Sequence, residues 1–304
     1  MKDGPEKLED FARLVAGLAP LEGLNTTRIP GLQLYRESEP HVPTPRLYDP
    51  YIVFVVQGRK RVAVDESVFE YHAGVLFITL APVPVECQVI EASEDKPMLA
   101  MVLLLDRKRM LNMLMKMDLD QHPVVHDDGL NPSGIFNAPL NDRLVDPAIR
   151  LLNALPCPAE SAIVGEAAID EIYFRILKHE QGGALPQLLQ QRGQIQQIAR
   201  AVDYLHKNLE KVVSVDELAR LVNLSSSAFH KKFKEVMHLP PLQYAKRVKL
   251  NKAQSCILTG MSVSEAGYRV GYNSPAQFSR EYKRYFGVTP SIESKSILSS
   301  SQVY

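Results

Sequence analysis

Ser225-Ser226-Ser227-Ala228-Phe229-His230-Lys231-Lys232-Phe233-Lys234 is echoed 49 residues later by Ser274-Pro275-Ala276-Gln277-Phe278-Ser279-Arg280-Glu281-Tyr282-Lys283. Phe229, Phe233, Lys234 and Pro241 recur at that offset as Phe278, Tyr282, Lys283 and Pro290, which marks an internal duplication of one structural unit. A short helix is predicted ahead of each copy. Ser214 to Val222 carries Asp216 and Glu217 in its first turn, and Ser262 to Val270 opens with Ser262 and Glu265 in the spacing of a capping box. The breaks are Asn223-Leu224-Ser225 and Gly271-Tyr272-Asn273. Asn and Gly are the residue types that best tolerate the left-handed backbone of a tight turn between helices. The chain therefore reads as carrying two helix-turn-helix units.

The second helix of each unit is two-sided. Phe229, Phe233 and Val236 fall at helical spacing on one face, and Ser227, His230, Lys231 and Lys234 on another. In the second copy Phe278, Tyr282 and Tyr285 face inward, with Gln277, Arg280, Lys283 and Arg284 outward. Such a face suits the major groove of DNA, where Arg and Lys read guanine and Gln reads adenine. One solvated helix gives the same pattern; two, in duplicated contexts, favour the groove. Between the units Leu242 to Thr259 is predicted as a long helix, with Leu250, Ala253 and Ile257 on one stripe and Tyr244 and Val248 on another. Two apolar stripes are what a strut between subdomains needs. Its Lys246, Arg247, Lys249 and Lys252 suit either phosphate contacts or solubility.

The charge distribution sets this region apart. Residues 193–304 carry 16 basic and 8 acidic side chains, and residues 1–192 carry 19 and 27, so a net charge of zero conceals +8 against −8. A basic region suits a polyanionic partner. With 304 residues, 45% hydrophobic and 23% charged, the chain has ordinary globular composition and room for two domains. Its longest apolar runs, such as Ala100 to Leu105, are too short to span a bilayer, and its N-terminus does not read as a signal peptide. A cytoplasmic location without a membrane partner is expected. Cys87, Cys157 and Cys256 lie too far apart for a metal or redox pair and read as reduced thiols.

Ahead of the duplication, short runs rich in Val, Ile, Phe and Tyr occupy Tyr51 to Gln57, Arg61 to Val64, Val75 to Leu80, Val85 to Ile90 and Met98 to Leu105. Closely spaced strands of this kind imply an antiparallel barrel or sandwich. Helical periodicity starts at Arg107, a loop is expected from Gln121 to Pro139, and two helices follow, at about Asp142 to Leu155 and Glu160 to Glu180. Gln181-Gly182-Gly183 stops the second helix, and a stretch rich in Gln and Gly leads to the duplicated region. The organisation expected is α+β and multidomain, with a first domain at 1–181, a linker at 182–194 and an all-α domain at 195–304.

Val215-Asp216-Glu217-Leu218-Ala219, Ser225 through Lys234, Pro241-Leu242-Gln243-Tyr244 and Val270-Gly271-Tyr272 through Phe286-Gly287-Val288-Thr289-Pro290 together resemble the AraC/XylS family of bacterial transcription regulators. The resemblance covers about residues 195–292. It implies two recognition helices in successive major grooves of double-stranded promoter DNA, with base-reading roles for Ser227, His230 and Lys231 and for Ala276, Gln277 and Arg280. Lys234, Lys249, Lys283 and Arg284 complete the candidate DNA-binding set. His238 departs from the pattern, standing where Gly is common, as does Gly267, standing mid-helix where Ala is usual. Gly inside a helix costs about 1 kcal/mol relative to Ala.

Tyr51 through Gln57-Gly58 and Tyr71-His72-Ala73-Gly74 make the N-terminal part similar to the cupin-type sensor found ahead of this module, so a cupin-like antiparallel β-barrel with flanking helices is expected. The resemblance implies a small organic effector inside it, a homodimer formed by the helices behind it, activation rather than repression, and RNA polymerase as a partner. Enzymatic cupins hold a metal with an HxH pair; His41, His72, His122 and His126 are isolated, so neither metal nor other cofactor is expected. Arg46, Tyr48, Tyr51 and Arg59 are candidates to fix an effector in an apolar pocket. Cys87 is a reactive sensor or, as a buried strand cysteine usually is, inert. Ile169, Ile172 and Ile176 offer either a dimer face or packing against the barrel. The rival classes are a metal-dependent enzyme with a DNA-binding tail, disfavoured by the scattered histidines, and an architectural DNA protein, which would leave the acidic N-terminal part without a role.

Overall fold

The computed structural model describes residues 4–117, 134–178 and 194–294. Helix α1 (Gly4–Leu18) leads into nine strands: β1 (Gly23–Thr26), β2 (Leu32–Glu37), β3 (Thr44–Tyr48), β4 (Tyr51–Gln57), β5 (Arg59–Val64), β6 (Ser67–His72), β7 (Val75–Thr79), β8 (Val83–Glu91) and β9 (Met98–Leu104). After α2 (Arg107–Lys116), strand β10 (Ile135–Pro139) pairs antiparallel with β7, so the loop expected up to Pro139 ends in a sheet edge. Two antiparallel sheets result, in the orders β1-β2-β9-β4-β7-β10 and β3-β8-β5-β6. Neither closes on itself among the described residues, so the expected barrel takes the form of two facing sheets.

Burial explains why these strands read as they do. β9 is buried along nearly its whole length because α1 covers one face and the other faces the interior between the sheets, hence Met-Leu-Ala-Met-Val-Leu without alternation. Phe11 of α1 meets Phe54 of β4 edge-on, with ring centroids 6.2 Å apart. Lys7 bridges to Asp142 and Asp146 of α3 (Asp142–Ala154), which is N-capped by Asn141. A one-turn helix at Pro158–Glu160 and a π-helical turn at Ser161–Gly165 then lead into α4 (Glu166–Leu177). Ile169, Ile172 and Ile176 are at most 3% exposed and belong to the core shared with α1, α3 and β9. Their role is the packing alternative, and a dimer face built from them is not available without opening that core.

The C-terminal part is all helical: α5 (Gln194–Lys207), α6 (Val215–Leu221), α7 (Ser226–Met237), α8 (Pro241–Leu258), α9 (Val263–Arg269) and α10 (Pro275–Phe286). The expected linker at 182–194 and the stop at Gln181-Gly182-Gly183 fall almost wholly outside the described residues, as do His122 and His126. Among the described residues no helix is long and apolar enough to cross a membrane.

Candidate nucleic-acid interface and cavity

Each helix of the duplicated units starts on a serine. Ser214, Ser225, Ser262 and Ser274 accept the backbone N–H groups of Glu217, Ala228, Glu265 and Gln277, and Ser262 with Glu265 completes the capping box. The turns take the left-handed backbone at Asn223 (φ 56°) and Gly271 (φ 84°). A Cβ at Gly271 would lie 2.4 Å from the Glu210 carbonyl oxygen, so Gly is required there by contact as well as by backbone. Gly267 has a steric reason too, since a Cβ would meet the ring of Phe278 at 3.0 Å.

The two recognition helices, α7 and α10, bury Phe229, Phe233 and Val236 in one case and Phe278 and Tyr282 in the other. Ser227, His230, Lys231 and Lys234 on α7, and Ala276, Gln277, Arg280, Lys283 and Arg284 on α10, are all exposed. Lys249 stands apart from them. It is half-buried, and its Nζ donates to the Lys211 carbonyl at 3.0 Å in the crevice between the units. The strut α8 fixes the second unit through Lys246 to Glu281 (2.9 Å) and Asn251 Nδ2 to the Tyr285 hydroxyl (3.0 Å).

A cavity of about 570 Å³ lies between the two sheets. Of the four effector candidates, Arg46, Tyr48 and Tyr51 line it, whereas Arg59 is outside the lining and pairs with Glu91 at 2.5 Å. Cys87 is buried in the wall. Sequence reasoning missed Lys60, which is 7% exposed and faces the cavity with Nζ 4.3 Å from the Tyr35 ring centroid and 5.7 Å from that of Tyr48. The signal was present: Lys60, Val62 and Val64 share one face of β5, so the alternation that buries the valines also buries the lysine. The strand begins at Arg59, two residues before the expected start at Arg61, and so takes in Lys60. Burial pushes the Lys60 pKa down, with the Arg46 charge acting the same way and Cys87 and Glu37 opposing. Burial likewise pushes the phenols of Tyr35, Tyr48 and Tyr71 up, so they stay neutral at physiological pH.

The cavity wall touches the helical part directly. Strand β3, which carries Arg46 and Tyr48, packs on α8 and α10, and β8 packs on α8. The Tyr244 hydroxyl of α8 donates to the Pro82 carbonyl at 2.7 Å, just before β8, and pairs with His206 Nε2 at 2.9 Å. Its single proton goes to Pro82, so the His206 nitrogen donates. Gly134 N–H caps the Val236 carbonyl in the last turn of α7 (2.9 Å), and Ser67 of β6 meets His238 Nδ1 at 2.9 Å.

Two facing sheets around a ligand-sized cavity, docked on twin helix-turn-helix units that share one strut, define a two-domain class of protein. The family described as AraC-type transcriptional regulator N-terminus matches residues 28–184, and a helix-turn-helix domain family matches 218–294. The chain belongs to the AraC-type transcriptional regulators. It is 31% identical over 115 residues to the HTH-type transcriptional regulator ArgR of Pseudomonas aeruginosa, covering 38% of this chain and 32% of that protein. To the lactose operon transcription activator of Staphylococcus xylosus it is 28% identical over 95 residues, 31% of this chain and 34% of that one. The matched segments thus span about a third of these relatives. Among solved structures, an apo variant of ToxT from Vibrio cholerae shares the fold at TM-score 0.59 and 11% identity, over 90% of this chain and 98% of that one. ToxT bound to (E)-4-(8-methylnaphthalen-1-yl)but-3-enoic acid aligns at TM-score 0.59 and 10% identity, over 88% and 98%.

Proposed function

We propose that this protein is a sequence-specific DNA-binding transcription regulator, an activator, whose DNA binding or promoter activation is controlled by a small organic effector held between the two sheets. The observation that carries the reading is the pair of recognition helices, each capped by serine, each buried by aromatics on one side, and each presenting hydrogen-bonding and cationic side chains on the other. Ser227, His230 and Lys231 read bases in one major groove and Ala276, Gln277 and Arg280 in the next, while Lys234, Lys283 and Arg284 contact phosphates. Lys249, tied to Lys211, positions the two units rather than touching DNA.

The effector reading is supported by the cavity's size, which falls in the usual range of ligand sites. It is supported also by a ToxT structure with a bound unsaturated fatty acid. Since β3 and β8 are both cavity wall and docking surface for α8, a ligand that moves the wall moves the strut. RNA polymerase is the further partner, and the protein acts where promoter DNA is, in the cytoplasm, as a homodimer whose face lies elsewhere than Ile169, Ile172 and Ile176. Arg280→Ala is expected to cost about 1 to 3 kcal/mol on the preferred DNA site and to relax base preference where that side chain docks. Binding titrations on the preferred site and on single-base variants measure this, and equal affinity of mutant and wild type would remove Arg280 from the reading set.

A further inference from the structure

Lys60 is a buried ammonium without a matching carboxylate. It is 7% exposed, and among the described residues its Nζ makes neither a hydrogen bond nor an ion pair; the Tyr35 and Tyr48 rings are its partners. Leaving a buried charge uncompensated is costly, and cation–π contacts return only part of that cost. Glu37 also lines the cavity, but its carboxylate accepts from the Tyr35 hydroxyl at 3.2 Å and lies beyond ion-pair distance of Lys60. Arg46 brings a second positive charge to the same cavity, so the lining carries an excess of cations. Around them the walls are apolar and aromatic, with Leu47, Val53, Met98, Ala100 and Val102 on the sheets.

Resting on the effector reading above, we propose that the cavity takes a monocarboxylate, its carboxylate paired with Lys60 Nζ and its apolar body lying against Val53, Met98 and Val102. A carboxylate supplies the charge that Lys60 lacks, at a side chain largely withdrawn from solvent, where a charge-assisted pair is strong. One acid group suffices, because Arg46 sits at the exposed mouth in contact with solvent while Lys60 is the cation held inside. A neutral ligand of the same shape would leave the ammonium as it is.

The test is calorimetric titration of the full chain, free of DNA, with three acids and their neutral amides: octanoate and octanamide, 3-phenylpropionate and its amide, 2-naphthoate and 2-naphthamide. Wild type, Lys60→Met and Lys60→Gln are compared. At least one acid is expected to bind wild type about 10-fold or more tighter than its amide, the margin of a charge-assisted hydrogen bond. That preference should fall below about 3-fold in both variants, which would still bind the amide. Thermal melting checks that the variants fold; Lys60→Met is expected to melt higher than wild type, since it replaces a buried charge with an apolar chain of similar length. Acid and amide binding wild type equally would overturn the carboxylate while leaving an effector cavity in place, and a preference that survives in Lys60→Met would overturn Lys60 as its partner. No binding of any of the six would overturn the carboxylate and count against an effector cavity altogether. None of these outcomes bears on DNA recognition, which is read separately by footprinting.

Discussion

The two helix-turn-helix units meet the same backbone demands with different residues. After its recognition helix the first unit turns left-handed at His238 (φ 58°), and the second does so at Gly287 (φ 79°), 49 residues later. Between its helices the first unit uses Asn223 where the second uses Gly271. Asn tolerates this backbone, but a histidine there costs about 1 to 2 kcal/mol, so His238 needs a local reason, as does the strict need for glycine at Gly271. For His238 the reason is its side chain, which bonds Ser67 and meets Phe69 edge-on at 5.5 Å, both on the sheet domain. For Gly271 it is the Glu210 carbonyl, which leaves no room for a Cβ. The cores differ accordingly. Phe229, Phe233 and Tyr244 share one continuous core with Val62, Val85 and Phe77 of the sheets, whereas Phe278 and Tyr282 sit in a small core closed by α8 and α9. The first unit is thus docked to the cavity-bearing domain, and the second is held chiefly by the strut.

Substituting Gly271 by Ala should break this arrangement most severely. The clash with Glu210 adds to left-handed strain, for an expected loss of about 3 kcal/mol. Gly287→Ala, with nothing within 4 Å of the new atom, should lose only about 1 kcal/mol. Denaturant titration of both variants measures the difference, and equal losses would mean that Gly271 is not under contact. On the docked side, Tyr244→Phe strands the Pro82 carbonyl and the His206 donor, with an expected cost of about 1 to 2 kcal/mol in the same assay. His238→Gly removes the strain together with the Ser67 bond and the Phe69 contact, so its net effect on stability should stay within about 0.5 kcal/mol.

A pH series sharpens the contrast further, since the two half-buried histidines with lowered pKa values lie on the docked side. Burial pushes the pKa values of His206 and His238 below 6.5, with Asp49 and Asp203 opposing at His206. Below pH 6.5 the unfolded chain therefore binds more protons than the folded one, and stability falls as the pH is lowered through that window. Melting temperatures between pH 7.5 and 5.5 should decline, and His206→Gln should flatten the slope; an unchanged slope in that variant would contradict the buried, neutral assignment.

How much was legible follows the range of the interactions. The duplicated units could be read almost residue by residue, because caps, turn residues and the spacing of Phe229 and Phe233 are local signals. β4 and β9 were equally plain as apolar runs. Strands β1, β2 and β3 were not, since as edge or half-exposed strands they carry Asn25, Arg36 and Arg46 among few apolar residues. β6 escaped for the same reason, with Glu70 and His72 outward, and β10 takes its identity from pairing with β7. Helix α1 shows its stripe of Leu8, Phe11 and Val15 at helical spacing, a signal as local as those of the duplicated units. Arg46, Tyr48 and Tyr51 were nominated by chemistry alone, whereas Lys60 needed the register of β5, and the docking of His238 on Ser67 joins residues 171 positions apart. No local pattern announces such a contact.

The most direct test of the account is selection of genomic fragments by the purified full-length protein, followed by footprinting of the enriched DNA. Two recognition helices on one strut predict an asymmetric protected site spanning two successive major grooves, with protection in one groove lost on Arg280→Ala and in the other on Lys231→Ala. Protection confined to a single groove, or binding without enrichment of any sequence, would contradict it.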